Sequence, residues 1–350
     1  MDRLFPVLMT VTVIAIPVSA ILSVSIGEIA IPFVKCYQIL VYKLFGLGNP
    51  EFTTGVMSII WLVRVPRTLM ALCAGAGLSL CGVVMQSSVQ NPLADPYILG
   101  TSSGASLGAT ASIMLGIGGV AWAREIGVST SAFIGALGAS ALVLMIAGLG
   151  GRMTSVKLVL GGTVINMICG TFSSLIVYMF PSAEGMQTVS FWLMGSIQIN
   201  GYGELRFIPI LVIAIGIYFF IQSRIMNTMM LGDETAVTLG VSTAKHRFVY
   251  MAISSLIVGF LVTKCGIIGY VGLIVPHIAR GFVGVDHRKL IPFSFCLGAL
   301  FLLWCDVVAR SALRIIFGSS GELPLGLITS VIGAPMLLYR ITRRGFISGR

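Results

Sequence analysis

The sequence predicts an all-α, polytopic membrane protein with about ten transmembrane helices. The 350-residue chain is 57% hydrophobic, only 10% of its residues are charged, and its mean hydropathy is +1.01. Soluble domains carry roughly 25% charged residues. Apolar runs of about 20 residues, the length of a bilayer-spanning helix, recur along the chain. We therefore interpret residues 1–350 as a single transmembrane domain.

Prolines, glycines and charged turns divide the apolar sequence into ten predicted spans. Two prolines within residues 91–96 block helix continuation after the second span. Residues 121–125 are predicted to form a short turn, and residues 181–204 a non-spanning connection with a short interfacial helix over 189–194. The predicted spans are 4–26, 61–86, 97–120, 129–149, 156–180, 205–222, 248–263, a run through Pro276 to 283, 290–308 and 322–339.

Two glycine patterns predict close contacts between helix backbones. Gly104 and Gly108 form a G-x-x-x-G face within the third span. Gly266, Gly269 and Gly272 repeat every three residues before the eighth span. Small residues allow transmembrane helices to approach closely, so both patterns are expected at helix contacts.

Residues 226–247 form the longest polar interruption of the apolar sequence. Asp233 can cap a short helix over 233–239, with Glu234 in its favourable first turn. Gly240 suits a left-handed helix end, and Ser242 can cap the helix that follows. A helix of under two turns is not stable alone in water, so it needs a surface to dock against.

Three residues of this short helix and its end, Ala236, Leu239 and Val241, offer a small apolar surface. An ordinary connecting loop is the simpler alternative, since most loops only join two elements. The functional interpretation is a loop that docks a partner.

The net charge of +10 is explained by membrane topology, because the basic residues are scattered at span ends. No aromatic and basic stripe predicts nucleic-acid binding. Ten spans place both termini on one side of the membrane. With the basic tail inside, 13 basic residues lie inside and nine outside, which mildly supports cytoplasmic termini in a multi-pass cytoplasmic-membrane protein.

Several arginines lie at the predicted outer ends of spans, against the positive-inside rule. Arg64 and Arg67 share a helix face at positions i and i+3, and Arg310 closes a later span. These side chains either snorkel to lipid head groups or form a cationic rim that meets carboxylates of an external partner.

The sequence contains no constellation typical of an enzyme, and we predict neither a cofactor nor a metal site. It has no phosphate-binding G-x-x-x-x-G-K-[ST] motif and no H-E-x-x-H motif. The seven cysteines are interpreted as small buried hydrophobic residues. Asp306 is the nearest to a mid-span ionisable residue, and this scarcity counts against a proton- or sodium-coupled carrier. Any energy source is expected in another subunit.

Several motifs spread from the second to the tenth span together point to one family. They are R-V-P-R-T at 64–68, G-V-V-M-Q at 82–86, N-P-L-A-D-P-Y-I-L-G at 91–100, L-G-V at 239–241, G-Y-V-G-L-I-V-P-H-I-A-R at 269–280, D-V-V-A-R at 306–310, E-L-P-L-G at 322–326 and G-A-P at 333–335. With these motifs the chain resembles the permease subunit of type II ABC importers, which move iron–siderophores, haem and vitamin B12.

The resemblance implies a homodimer in membrane lipid, with the pathway on its two-fold axis. It also implies two cytoplasmic ABC ATPase subunits and an extracytoplasmic substrate-binding protein. Residues 226–247 would be the cytoplasmic ATPase-coupling loop, and its contact residues would be Gly232, Ala236, Leu239, Gly240 and Val241.

The same resemblance assigns two further groups of residues. Binding-protein docking would involve Arg64, Arg67 and Arg310. The cytoplasmic gate would be formed by Asn91 and Leu93 on one loop and by Thr154 and Ser155 on another.

We expect an iron chelate, either a siderophore complex or haem, because such cargo is the commonest in this family. Vitamin B12 and molybdate are the alternative cargoes. A self-sufficient channel or secondary carrier is the alternative from another functional class, and an intramembrane enzyme has no supporting residues.

Overall fold

The computed structural model describes residues 4–27, 29, 31–48, 54–116, 121–149, 153–199 and 201–345. Over these ranges the regular structure is helical, without a strand, which confirms the all-α class. In chain order the α-helices are α1 Leu4–Ser25, α2 Phe33–Phe45, α3 Thr54–Ser58, α4 Val65–Val89, α5 Thr101–Met114, α6 Ala121–Gly148, α7 Ser155–Met179, α8 Ala183–Met194, α9 Ile208–Ile221, α10 Ser223–Met229, α11 Asp233–Thr238, α12 Thr243–Cys265, α13 Val271–Val283, α14 His287–Phe317 and α15 Leu325–Gly345.

The prediction of a polytopic membrane protein is confirmed. Within the described ranges, six helical segments are long and apolar enough to cross a membrane, and the pair α9 and α10, bent by 56°, can form a seventh. Two shorter apolar helices, α13 and residues 325–339 of α15, are further candidates. Helix α5 lies where the third span is predicted. The fold is therefore consistent with about ten spans.

Three predicted boundaries are wrong. The second span begins at Thr54, because a π-helical turn, Ile59–Arg64, joins α3 to α4 without a break. Residues 121–125, predicted as a turn, form the start of α6, since Ala, Arg and Glu are good helix formers. Helix α14 continues past residue 308, because its charged residues are paired inside the protein and do not need to end the span.

Outside the main spans, one helix was not predicted and another is longer than predicted. The mixed stretch after the first span contains α2, whose buried Cys36 and Ile39 pack beside Ile60. Helix α8 begins well before residue 189, because the Ser182 hydroxyl caps it by accepting a hydrogen bond from the Gly185 amide at 3.1 Å.

Helix α4 is the central helix of the bundle. In the segment that contains it, 83% of the residues in the most apolar stretch are buried, against 22% in α1 and in α7. Two glycines of α4 allow this burial: a Cβ at Gly75 would overlap the carbonyl oxygen of Gly298 in α14, and one at Gly82 would overlap that of Gly272 in α13. The backbones therefore meet directly at these contacts.

The predicted G-x-x-x-G contact is confirmed, because Gly104 and Gly108 lie against backbone carbonyls of α6. Of the three repeated glycines, Gly266 and Gly272 lie against neighbouring backbone, but Gly269 does not. Residues 150–152, predicted to link two spans, and the last five residues of the basic tail lie outside the described ranges.

Candidate functional site

Two polar clusters lie beyond opposite ends of α4. Arg67 stands at the start of this helix and Gln90 directly follows its end. At a rise of 1.5 Å per residue, the two positions are about 35 Å apart along the helix axis. We call the first group the Asp306 cluster, which comprises Arg67, Asp306, Arg310 and Glu322. The second is the Arg247 cluster, which comprises Gln90, Asp233 and Arg247.

Arg247 lies in the second turn of α12, and its side chain is fully buried. Its two terminal nitrogens donate to both carboxylate oxygens of Asp233, at 2.7 and 2.6 Å. Its Nε donates to the Ser88 carbonyl at 2.6 Å, and Nη1 also donates to the Met153 carbonyl at 3.2 Å. Such a bidentate pair fixes geometry as well as charge.

Helix α11 forms where the sequence predicts a short helix. It ends before Gly240, whose φ of 81° confirms the predicted left-handed stop. The predicted capping role of Asp233 is wrong, because Gly232 occupies the cap position and the Asp233 carboxylate binds Arg247. Tertiary contacts therefore hold this short helix in place.

The residues predicted to contact an ATPase differ in exposure. Leu239 is 62% exposed, and Gly232 and Gly240 form the turns on either side of α11. Ala236 is fully buried, and Val241 is partly buried against the main core. Sequence reasoning missed Val237, which is 58% exposed on α11, since a helix of six residues has no periodicity that separates its faces.

The two predicted gate segments lie beside the carbonyls that Arg247 binds. Ser88 is in the last turn of α4, shortly before Asn91, whose Oδ1 accepts a hydrogen bond from the Leu93 amide at 2.9 Å. Met153 directly precedes Thr154, which caps α7 by accepting from the Lys157 amide at 3.3 Å. Leu93 is exposed, and Ser155 begins α7.

Gln90 adds a second connection between the end of α4 and α11, and no sequence signal indicated it. Its backbone is left-handed, with φ of 55°, which is uncommon for a residue other than glycine. Its Nε2 donates to the Met229 carbonyl at 2.8 Å and to Asp233 Oδ1 at 3.1 Å. The end of α4 is thereby bound to α10 and α11.

Helix α10 is also bound to the start of α14. Asn227 donates to Asp286 at 2.7 Å and accepts from the backbone amide of His287 at 2.9 Å. Partial burial opposes ionisation of Asp286, but hydrogen bonds from Arg288 and Asn227 lower its pKa to about 2. Asp286 is therefore ionised at neutral pH, and its contacts with α10 persist there.

The Asp306 cluster neutralises a fully buried carboxylate. Arg67 donates to Asp306 at 2.9 Å and to Glu322 at 2.7 and 2.8 Å. Arg310 lies 3.2 Å from the second Asp306 oxygen and donates to the Ser23 hydroxyl at 2.6 Å. Asp306 is thus a paired structural carboxylate.

The three arginines predicted at the outer rim make contacts within their own chain. Arg64 and Arg310 are 5% and 3% exposed, and Arg64 donates to the Val24 and Ser25 carbonyls at the end of α1. Arg67 instead faces α14. Among the described residues, no group of three or more His, Cys, Asp or Glu residues could hold a metal ion.

Comparisons with known proteins agree with this architecture. The FecCD transport family matches residues 14–343. The molybdate import permease MolB of Haemophilus influenzae is 33% identical to this chain over 331 residues, which cover 94% of each chain. The cobalamin import permease BtuC of Halobacterium salinarum is 35% identical over 340 residues, which cover 95% of this chain and 87% of BtuC. A solved structure described as an inward-facing metal-chelate type ABC transporter matches with a TM-score of 0.80 and 30% identity, covering 97% of this chain and 99% of that one. The chain therefore belongs to the FecCD transport family of ABC importer permeases.

Proposed function

We propose that this chain is the permease subunit of an importer that carries an iron chelate, a siderophore complex or haem, across the cytoplasmic membrane. ATP is hydrolysed by a separate subunit that docks at α11. The observation that carries this proposal is a six-residue helix, with exposed Val237 in it and exposed Leu239 directly after it, that is held to the bundle by an ion pair between Asp233 and the buried Arg247. Iron-chelate cargo is supported by the likeness to the metal-chelate type transporter.

The ATPase contact combines direct and supporting residues. Leu239 and Val237 supply exposed apolar surface, and Gly232 and Gly240 set the turns that present it. Ala236 and Val241 lie behind that surface and act by holding the helix against the bundle. The α11 end of the bundle, with both termini, is cytoplasmic in this proposal.

Binding-protein docking takes place at the opposite end. Arg67 is the most exposed of Arg64, Arg67 and Arg310, and it already holds an exposed carboxylate, that of Glu322. A carboxylate of the binding protein would compete with Glu322 for the same guanidinium. Arg64 and Arg310 support this contact by fixing α1 and α14 beside Arg67.

A second copy of the chain completes the pathway. Helix α7 is largely unburied within one chain and carries exposed hydroxyl groups, such as those of Thr163 and Thr171, among exposed apolar residues. One face of α7 would meet the second copy and another would line the pathway. Because Thr154 and Ser155 begin this helix, they would form the cytoplasmic gate together with Asn91 and Leu93.

The test is uptake by cells that lack the gene, compared with cells in which it is restored. Radio-iron as a ferric siderophore, radio-iron haem, labelled cobalamin and labelled molybdate are offered in parallel. Loss of one iron chelate alone, restored by the gene, is the expected result. Selective loss of cobalamin or molybdate uptake would replace the iron-chelate assignment.

A second assay separates the functional classes. Proteoliposomes that contain this chain alone are compared with proteoliposomes that contain it with its ATPase and binding protein. We expect ATP-dependent uptake only in the complete complex, since Asp306 is paired with two arginines and is not a free intramembrane carboxylate. Uptake by the chain alone would identify a channel or secondary carrier.

A further inference from the structure

We infer that Arg247 is the positioning residue that transmits movement of α11 to the two gate segments. This inference rests on the proposed function, in which α11 docks an ATPase. One guanidinium contacts three separate parts of the chain: Asp233 at the start of α11, Ser88 at the end of α4 and Met153 before α7.

The chemistry of Arg247 suits it to such a connection. A guanidinium has five N–H donors in a rigid planar fork, so it can bind a carboxylate and two carbonyls simultaneously in fixed directions. A lysine ammonium keeps the charge but has no planar fork. The long side chain of Arg247 is fully buried, and the three segments meet around it, with Asp233 at their 40% exposed edge.

Burial makes the link to α11 stiff. Loss of the Asp233 carboxylate would leave the fully buried Arg247 charge without its partner, which is strongly unfavourable, even though Asp233 itself is 40% exposed. Arg247 and Asp233 are therefore expected to move together. Gln90 supports the same carboxylate from the end of α4, at 3.1 Å. When α11 is displaced, Arg247 moves with it. The guanidinium then either pulls the carbonyls of Ser88 and Met153 along or loses its hydrogen bonds to them, and both outcomes act on the gate segments.

The test measures whether ATP binding still moves a gate segment. A nitroxide label is placed at Leu93→Cys, which replaces an exposed side chain, in the complete complex reconstituted in lipid. The unmodified chain, whose native cysteines are buried or half-buried, serves as the blank. The electron paramagnetic resonance spectrum is recorded with and without ATP plus vanadate, and ATPase co-purification is measured on the same samples. Neither readout depends on the identity of the cargo.

Arg247→Lys and Asp233→Asn are the informative variants. We expect Arg247→Lys and Asp233→Asn to retain the ATPase, while the ATP-induced shift in the equilibrium constant between the spectral populations at position 93 falls at least about fivefold, the lower end of common allosteric couplings. The matched control is Arg206→Met, which removes an exposed arginine that lies before α9, beside the Phe207 ring. This control should leave the spectral change intact.

Three results separate the possibilities. An unchanged spectral response in Arg247→Lys and Asp233→Asn would overturn the inference. Loss of ATPase binding in these two variants would also overturn it, because Arg247 would then serve docking and not transmission. Failure of the unsubstituted complex to bind an ATPase or to respond to ATP would instead reject the proposed function.

Discussion

The guanidinium of Arg67 lies between two carboxylates, that of buried Asp306 at 2.9 Å and that of exposed Glu322 at 2.7 Å. Asp306 holds Arg67 from within the bundle, while Glu322 approaches it from the surface. In the proposed docking, the outer ion pair is therefore the one that a carboxylate of the binding protein would replace.

Substitution of Glu322 tests this exchange. Glu322→Gln removes the competing charge from Arg67, so we expect the binding protein to bind more tightly, by about 1.5- to 5-fold for an exposed ion pair worth ~0.2–1 kcal/mol. The gain should shrink as salt screens the contact. Surface plasmon resonance with the permease in nanodiscs measures this affinity. Equal affinities at all salt concentrations would remove Arg67 from the docking site.

The exposed end of α11 can be tested with a pair of matched leucines. Leu239→Asp puts a charge on the proposed apolar contact and should abolish co-purification of the ATPase. Leu47→Asp is the control, because Leu47 is 63% exposed, against 62% for Leu239, and follows α2, away from the Arg247 cluster. Co-purification of normal amounts of ATPase with Leu239→Asp would contradict the assignment.

Gly240 tests the turn that presents this contact. Its φ of 81° is incompatible with the proline ring, which fixes φ near −65°. Gly240→Pro should therefore displace Leu239 and reduce ATP-driven uptake, while Gly240→Asn, a residue that tolerates the left-handed region, should retain most of it. Comparable uptake by the two variants would show that the turn is not needed for coupling.

The contact between Gly82 of α4 and Gly272 of α13 predicts a stability effect. Gly82→Ala forces a Cβ into the facing backbone, and overpacking of this kind typically costs about 1–3 kcal/mol. Gly138→Ala on α6 is the control, because its Cβ would meet open space. Thermal unfolding in detergent should show a lower midpoint for Gly82→Ala alone. Equal unfolding midpoints for Gly82→Ala and Gly138→Ala would mean that α4 and α13 can move apart without loss of stability.

Thr154 caps the first turn of α7, and loss of this cap should loosen the second of the two proposed gate segments. Thr154→Ala removes the acceptor for the Lys157 amide, a change that typically costs about 1 kcal/mol. Hydrogen exchange should become faster over residues 155–157. Thr154→Asp restores an acceptor and should restore protection. Equally fast exchange in both variants would argue against the cap.

Local and compositional features of this protein followed from the sequence alone. Hydropathy identified an all-α membrane protein, because a bilayer permits few ways to satisfy the backbone of an apolar chain. The short helix before Gly240 was predictable because a left-handed stop depends on glycine itself. The contacts of Gly104 and Gly108 were predictable for a similar reason, since only small residues permit such proximity.

Tertiary structure decided which charged groups meet. Arg67 and Asp306 are 239 positions apart in the chain, so no local pattern pairs them. Asp233 was expected to cap its own helix, but it binds Arg247, because a buried guanidinium requires a carboxylate more strongly than an exposed helix end does. Gln90 and Arg247 gained their roles in the same way. The sequence by itself determined the class of the protein and its local turns, whereas packing alone determined the ion pairs, because their energy depends on burial and on partners distant in the chain.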